Sequence, residues 1–147
     1  MNEINYTEPT LDNQKEFLDN LDLLVDTIYI QFKATKIYLK ILSIDENRKE
    51  NSVKSFNYEE QKLLEREIHT HFPIFMNKLK KFCTTLTKTE RLICCLSLRF
   101  HPHTVCLCMG YNNTLTFKTH KHNIKKKMVE LSGNQFLFDF IFKPATN

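Results

Sequence analysis

The sequence predicts an all-α protein, and three observations carry that expectation. Only two Gly and four Pro occur among 147 residues, which is too little turn chemistry for a multistranded sheet. Apolar residues recur at helical spacing over most of the chain. Helix start signals stand in front of several of these runs. A hydrophobic content of 41% is enough for a core, and twelve Phe with no Trp make that core rich in phenylalanine. The length fits one domain, or one domain with a helical extension.

Residues 1–10 read as a frayed tail. From Leu11 onward, Phe17, Leu18, Leu21, Leu24, Val25 and Ile28, then Phe32, Ile37, Tyr38 and Ile41, follow helical spacing. They predict two helices, about 11–32 and 35–43, meeting near Ala34. Residues 44–55, IDENRKENSVKS, are charged and polar and read as an exposed loop, where the main internal boundary is expected. Asn57 is an N-cap, and Glu59 and Glu60 sit where the positive end of a helix favours acids. That helix should reach about Thr70. Pro73 ends it or opens the next one. Over 73–83, Ile74, Phe75, Leu79 and Phe82 take one side and Lys78, Lys80 and Lys81 the other.

Thr87-x-x-Glu90 is a capping box in front of the apolar run Leu92 to Leu98. His101-Pro102-His103 interrupts that helix, and another begins at Pro102 or His103. Gly110 stands at the end of the short apolar pattern and before Asn112-Asn113-Thr114. In a chain with two glycines, this one supplies a left-handed C-cap. A second helix follows over 114–128, with a row of Lys, His and Thr. Ser132-Gly133-Asn134 is a stop signal. Residues 135–142, QFLFDFIF, read as a short covering helix in preference to a strand, since no partner strand is evident. Residues 144–147 read as a disordered tail. The expected organisation is an N-terminal helical extension over 1–55, connecting helices over 56–85, and a C-terminal unit over 86–142.

Charge divides the chain. Residues 1–75 hold 9 Lys+Arg and 14 Asp+Glu, a net of −5; residues 76–147 hold 12 and 3, a net of +9. A basic half of this size attracts polyanions. The acidic half is repelled by them and is expected to face away or to contact protein. The first 25 residues are acidic and polar with no apolar signal segment, and no apolar run reaches the ~18 residues of a membrane span. A cytoplasmic protein with no membrane partner is expected, and its five cysteines (Cys83, Cys94, Cys95, Cys106 and Cys108) should be reduced thiols.

Residues 104–128 combine a short apolar helix, a tight turn and a basic helix, which is the layout of a helix-turn-helix DNA reader. On the second helix, Lys118, Lys121, His122 and Lys125 fall at i, i+3, i+4 and i+7 on one face. Phe117, His120, Ile124 and Met128 follow the same spacing on another face and should point inward, with His120 as a packed, hydrogen-bonded histidine. Lys118, Lys121 and His122 are placed for base edges, and Lys125, Lys126 and Lys127 for phosphates. Thr114 and Thr116 lie near the helix N-terminus, where amides also favour phosphate. Thr119 completes the expected DNA-contacting set.

The same residues resemble the LuxR-type helix-turn-helix domain. Leu86-Thr87-Lys88-Thr89-Glu90-Arg91 is similar to its Leu-Thr-x-x-Glu start, Val105-Cys106 to its Ile-Ala pair, and Met109-Gly110 to its Leu-Gly turn. Thr116 to Met128, TFKTHKHNIKKKM, is similar to its second helix almost position by position. His71-Phe72-Pro73-Ile74-Phe75, Lys36-Ile37-Tyr38 and Asp139-Phe140-Ile141 resemble the C-terminal region of Bacteroidetes regulators in which tetratricopeptide repeats precede such a domain. No 34-residue repeat occurs in this chain. The resemblance implies N-terminal helices packed on a LuxR-type helix-turn-helix domain. It also implies a sequence-specific transcriptional regulator of double-stranded DNA; a homodimer is expected, and Leu107, which looks exposed, and the helix at 13–30 are the two candidate interfaces between which the residues do not choose. RNA polymerase or a sensor protein is the partner expected if the scaffold serves instead as a protein-interaction module.

Other chemistries are weakly marked. His101-x-His103 and Cys106-x-Cys108 crowd eight residues, but paired zinc ligands are usually spaced further apart, and i, i+2 residues leave a helix on different sides. Cys106 stands where a small buried residue is expected. No metal, no cofactor and no catalytic constellation is expected, because nothing orients a Cys–His pair and there is no glycine-rich phosphate loop. The competing reading is a protein-interaction module on a degenerate helix-turn-helix scaffold, with the acidic helix of residues 11–30 as its working surface.

Overall fold

The computed structural model describes residues 11–50 and 53–143; the tails expected at 1–10 and 144–147 lie outside the described residues. Eight α-helices follow one another, with no strand among the described residues: α1 (Leu11–Phe32), α2 (Lys36–Asn47), α3 (Tyr58–His71), α4 (Pro73–Phe82), α5 (Lys88–Ser97), α6 (Pro102–Cys108), α7 (Thr114–Lys125) and α8 (Gln135–Ile141). A π-helical segment, Lys126–Leu131, continues α7 without a break.

Local chemistry explains most boundaries. Thr35 caps α2 by accepting the Tyr38 amide at 3.2 Å. Asn57 and Glu60 form a reciprocal capping box on α3, with bonds of 2.9 and 3.0 Å. Thr87 and Glu90 form a second on α5, at 3.1 and 2.8 Å. Each box satisfies two amides that a helix start otherwise leaves orphaned, and is worth roughly 1 kcal/mol. Pro73 and Pro102 occupy first-turn positions, where a missing N–H costs nothing. His101 caps α6 through Nδ1, which accepts the His103 amide at 3.1 Å. Burial and the neighbouring Arg48 hold the His101 imidazole below its ordinary pKa, which favours the neutral ring that can accept.

The core is continuous from Leu21 in α1 to Ile141 in α8. Its phenylalanines join elements far apart in sequence. Tyr29, Phe32 and Phe72 meet edge to face with ring centroids 5.3–5.6 Å apart, which ties α1 to the α3–α4 corner. Phe17 meets Phe82 at 5.1 Å and Phe136 at 5.8 Å, which ties α1 to α4 and α8. Such edge contacts add about 0.5–1.5 kcal/mol beyond burial.

One expectation is corrected here. Residues 44–47 are not loop but the last turn of α2, because α2 packs against α6. Ile44 is buried, and the Asp45 carboxylate accepts the hydroxyl of fully buried Thr104 at 2.6 Å. The polar composition of the stretch marks its solvent side and conceals this contact. Residues 135–142 do form a helix, Gln135–Ile141, as expected.

Candidate nucleic-acid interface

Helices α6 and α7 are joined by a turn whose hydrogen bonds account for Gly110. The Tyr111 amide returns to the Cys106 carbonyl at 3.0 Å, and the Gly110 amide to that of Leu107 at 3.1 Å. This is the Schellman arrangement, which needs a left-handed residue at its centre, and Gly110 has φ +80°. The Cys106 thiol then donates to the Asn113 carbonyl at 2.8 Å, and the Asn113 side chain caps α7 by accepting the Leu115 amide at 3.0 Å.

The turn is braced from outside the motif. The Phe56 amide donates to the Leu107 carbonyl at 2.8 Å, and Gln61 Nε2 donates to the Phe56 carbonyl at 2.9 Å. A methyl group on Gly110 would meet the Gln61 carboxamide, with Cδ only 2.8 Å away. The chain before α3 and the first turn of α3 therefore bear directly on the turn between α6 and α7. Neither Phe56 nor Gln61 belongs to the residues expected from sequence. The only signal was Phe56 itself, an aromatic residue just before an N-cap.

Phe117, Ile124 and Met128 anchor α7 and its π-helical continuation in the core, at 3%, 0% and 0% exposure. His120 is half-buried, stacked on Tyr111 with ring centroids 5.5 Å apart, and its Nε2 lies 3.1 Å from the Tyr111 hydroxyl. It is the packed histidine that the spacing predicts. Leu107, expected as an exposed interface residue, is instead buried at 8% exposure. Its carbonyl accepts the Phe56 amide from the segment that leads into α3, a contact that the local pattern of residues does not reveal.

The residues expected to contact DNA differ in how they are placed. Thr114, Thr116, Lys118, Thr119, His122, Lys125 and Lys126 are exposed. Lys121 is half-buried with its Nζ 5.5 Å from the Phe142 ring centroid, and Lys125 Nζ lies 5.8 Å from that of Phe138, so both lean toward α8. Lys127 turns inward and binds Glu90 Oε1 at 2.6 Å. Burial pushes the Glu90 carboxyl up, but the bonds from Lys127 and Thr87 outweigh it and hold the group below the ordinary carboxylate range. A single buried carboxylate thus caps α5 and fixes the start of the π-helical segment. Lys127 has this structural task in addition to the phosphate contact expected of it.

At about 100° per residue, the line of α7 opposite Phe117 and Ile124 runs through Leu115, Thr119, His122 and Lys126. Lys118 and Lys125 flank it on the α8 side. The outermost seam is therefore rotated away from the lysine row that i, i+3, i+4, i+7 spacing alone selects. No acidic residue occurs within Thr114–Lys125.

All five cysteines are buried and unpaired. Burial pushes the Cys94, Cys95, Cys106 and Cys108 thiols up, away from the thiolate that a nucleophile or metal ligand requires. Among the described residues, His, Cys, Asp and Glu nowhere gather in threes suited to a metal ion. No helix among them is long and apolar enough to cross a membrane.

The chain matches no protein-family model, no curated protein and no solved structure. The LuxR-type resemblance accordingly rests on the residues that carry it.

Proposed function

We propose that this protein is a sequence-specific DNA-binding transcriptional regulator of the LuxR helix-turn-helix type, with α7 as its reading helix. The observation that carries this reading is the two-sided character of α7. Its inner face is locked by Phe117, Ile124 and the His120–Tyr111 pair, while its outer face offers Lys118, Thr119, His122, Lys125 and Lys126 with no acid among them. A rigid helix with a free, cationic outer face suits entry into the major groove. Lysines on its flank and along its last turn meet phosphates, and the amides around Thr114 and Thr116 face the backbone at its start.

Binding as a homodimer belongs to the same proposal. With Leu107 buried, α1 is left as the proposed interface. Leu23 and Ile30, 66% and 71% exposed, stand at i, i+7 on its outer side. Those leucine and isoleucine side chains equally support the competing reading, in which α1 receives another protein.

The experiment is selection from a random double-stranded DNA pool at two salt concentrations. An enriched motif whose affinity falls by roughly 0.9 logarithmic units per phosphate contact for each tenfold rise in salt supports the reading. Lys118→Ala with Lys126→Ala, both exposed on the outer face, should then abolish binding. Absence of binding at low salt, in a protein that remains folded, rejects DNA reading in favour of the protein-interaction module.

A further inference from the structure

We propose that the first half of α7 reads the C5-methyl group of a pyrimidine, through Leu115 seconded by Thr119. This rests on the DNA-reading function proposed above and adds which base chemistry lies under the helix. Leu115 is 68% exposed on the line of α7 farthest from the core, in the second residue of the helix. Its amide is consumed by the Asn113 cap at 3.0 Å, so the side chain is what this position offers outward. One turn on, the Thr119 hydroxyl donates to the Leu115 carbonyl at 3.0 Å. That bond folds the hydroxyl back along the helix and leaves the methyl as the group Thr119 presents. Leu115 and Thr119 stand at i, i+4, so isobutyl and methyl form one apolar spot on an otherwise basic and polar face.

In helix-turn-helix docking, the N-terminal residues of the reading helix approach base edges. The major-groove edge of a base pair presents one apolar group, the methyl at C5 of thymine, and side-chain methyls contact it. Methylated cytosine carries the same group at the same carbon. An apolar spot at this place in the helix therefore matches a C5-methyl pyrimidine, and His122 and Lys126 further along the seam supply polar contacts beyond it.

The test uses the full chain and two selection pools, one unmodified and one with methylated cytosine. In the enriched motif each thymine is replaced singly by uracil, which removes the methyl and leaves base pairing intact. One position should lose about 4-fold in affinity, the factor that burying a single methyl group corresponds to. Leu115→Ala, at an exposed site, should keep the melting temperature, bind the unmodified motif more weakly and become indifferent to that replacement. A sensitive thymine in both pools identifies thymine as the source; enrichment that appears only in the methylated pool identifies methylcytosine. A salt-dependent motif with no methyl-sensitive position, or sensitivity that survives in Leu115→Ala, overturns the inference and leaves the DNA reader standing. Failure to bind either pool at low salt overturns both.

Discussion

Replacing each of the two glycines by alanine separates a backbone cost from a packing cost. Gly110 has φ +80° and Gly133 φ +69°. An alanine in the left-handed region costs roughly 1–2 kcal/mol, partly offset by the lower entropy of the unfolded chain, so each substitution carries about 1 kcal/mol from the backbone. Around Gly133 nothing lies within 4 Å of a new Cβ. At Gly110 the Cβ drives out the Gln61 carboxamide, whose Cδ is 2.8 Å away, and with it the 2.9 Å bond to the Phe56 carbonyl. That bond adds about 1 kcal/mol. Gly133→Ala should therefore cost about 1 kcal/mol and Gly110→Ala about 2 kcal/mol. At this chain length each 1 kcal/mol lowers the melting temperature by about 2–4 °C. Urea and thermal unfolding measure both. Because the extra loss runs through one side chain, Gln61→Ala combined with Gly110→Ala should cost little more than Gly110→Ala alone. Equal losses at the two glycines, or full additivity with Gln61→Ala, would refute the claim that α3 braces the turn.

Lys127→Ala should destabilise the fold by about 1–3 kcal/mol, because Glu90 stays buried without its partner, whereas exposed Lys126→Ala should leave stability unchanged. Chemical denaturation of the two variants side by side distinguishes them. The depressed Glu90 pKa contributes stability that is present above the unfolded carboxylate value of about 4.3 and is lost as pH falls through the lower folded value. Glu90→Gln keeps an acceptor for the Thr87 amide but should flatten that part of the acid unfolding profile. The cysteines are all buried, and burial pushes the Cys94, Cys95, Cys106 and Cys108 thiols up, so those four should label with a thiol reagent only as fast as the protein opens. Immediate labelling of Cys106 in native buffer would contradict its bond to the Asn113 carbonyl.

The sequence alone determines the features written over short distances. Helix class follows from spacing. The starts of α3 and α5 follow from the Asn57–Glu60 and Thr87–Glu90 boxes, and the turn after α6 from Gly110, because caps and left-handed turns are set by residues within one helical turn of each other. The inward positions of Phe117, Ile124 and Met128 were legible for the same reason. Tertiary structure decided what depends on distant partners. It extended α2 to Asn47 so that Asp45 reaches Thr104, 59 residues on, and it buried Leu107, whose carbonyl accepts the Phe56 amide. It drew Lys127 to Glu90, 37 residues away, and leaned Lys121 onto Phe142 and Lys125 onto Phe138. Periodicity states which residues share a face of α7, but the core it packs on sets the rotation of that helix. That rotation brings Leu115 and Thr119, and not the lysine row alone, to the outermost line.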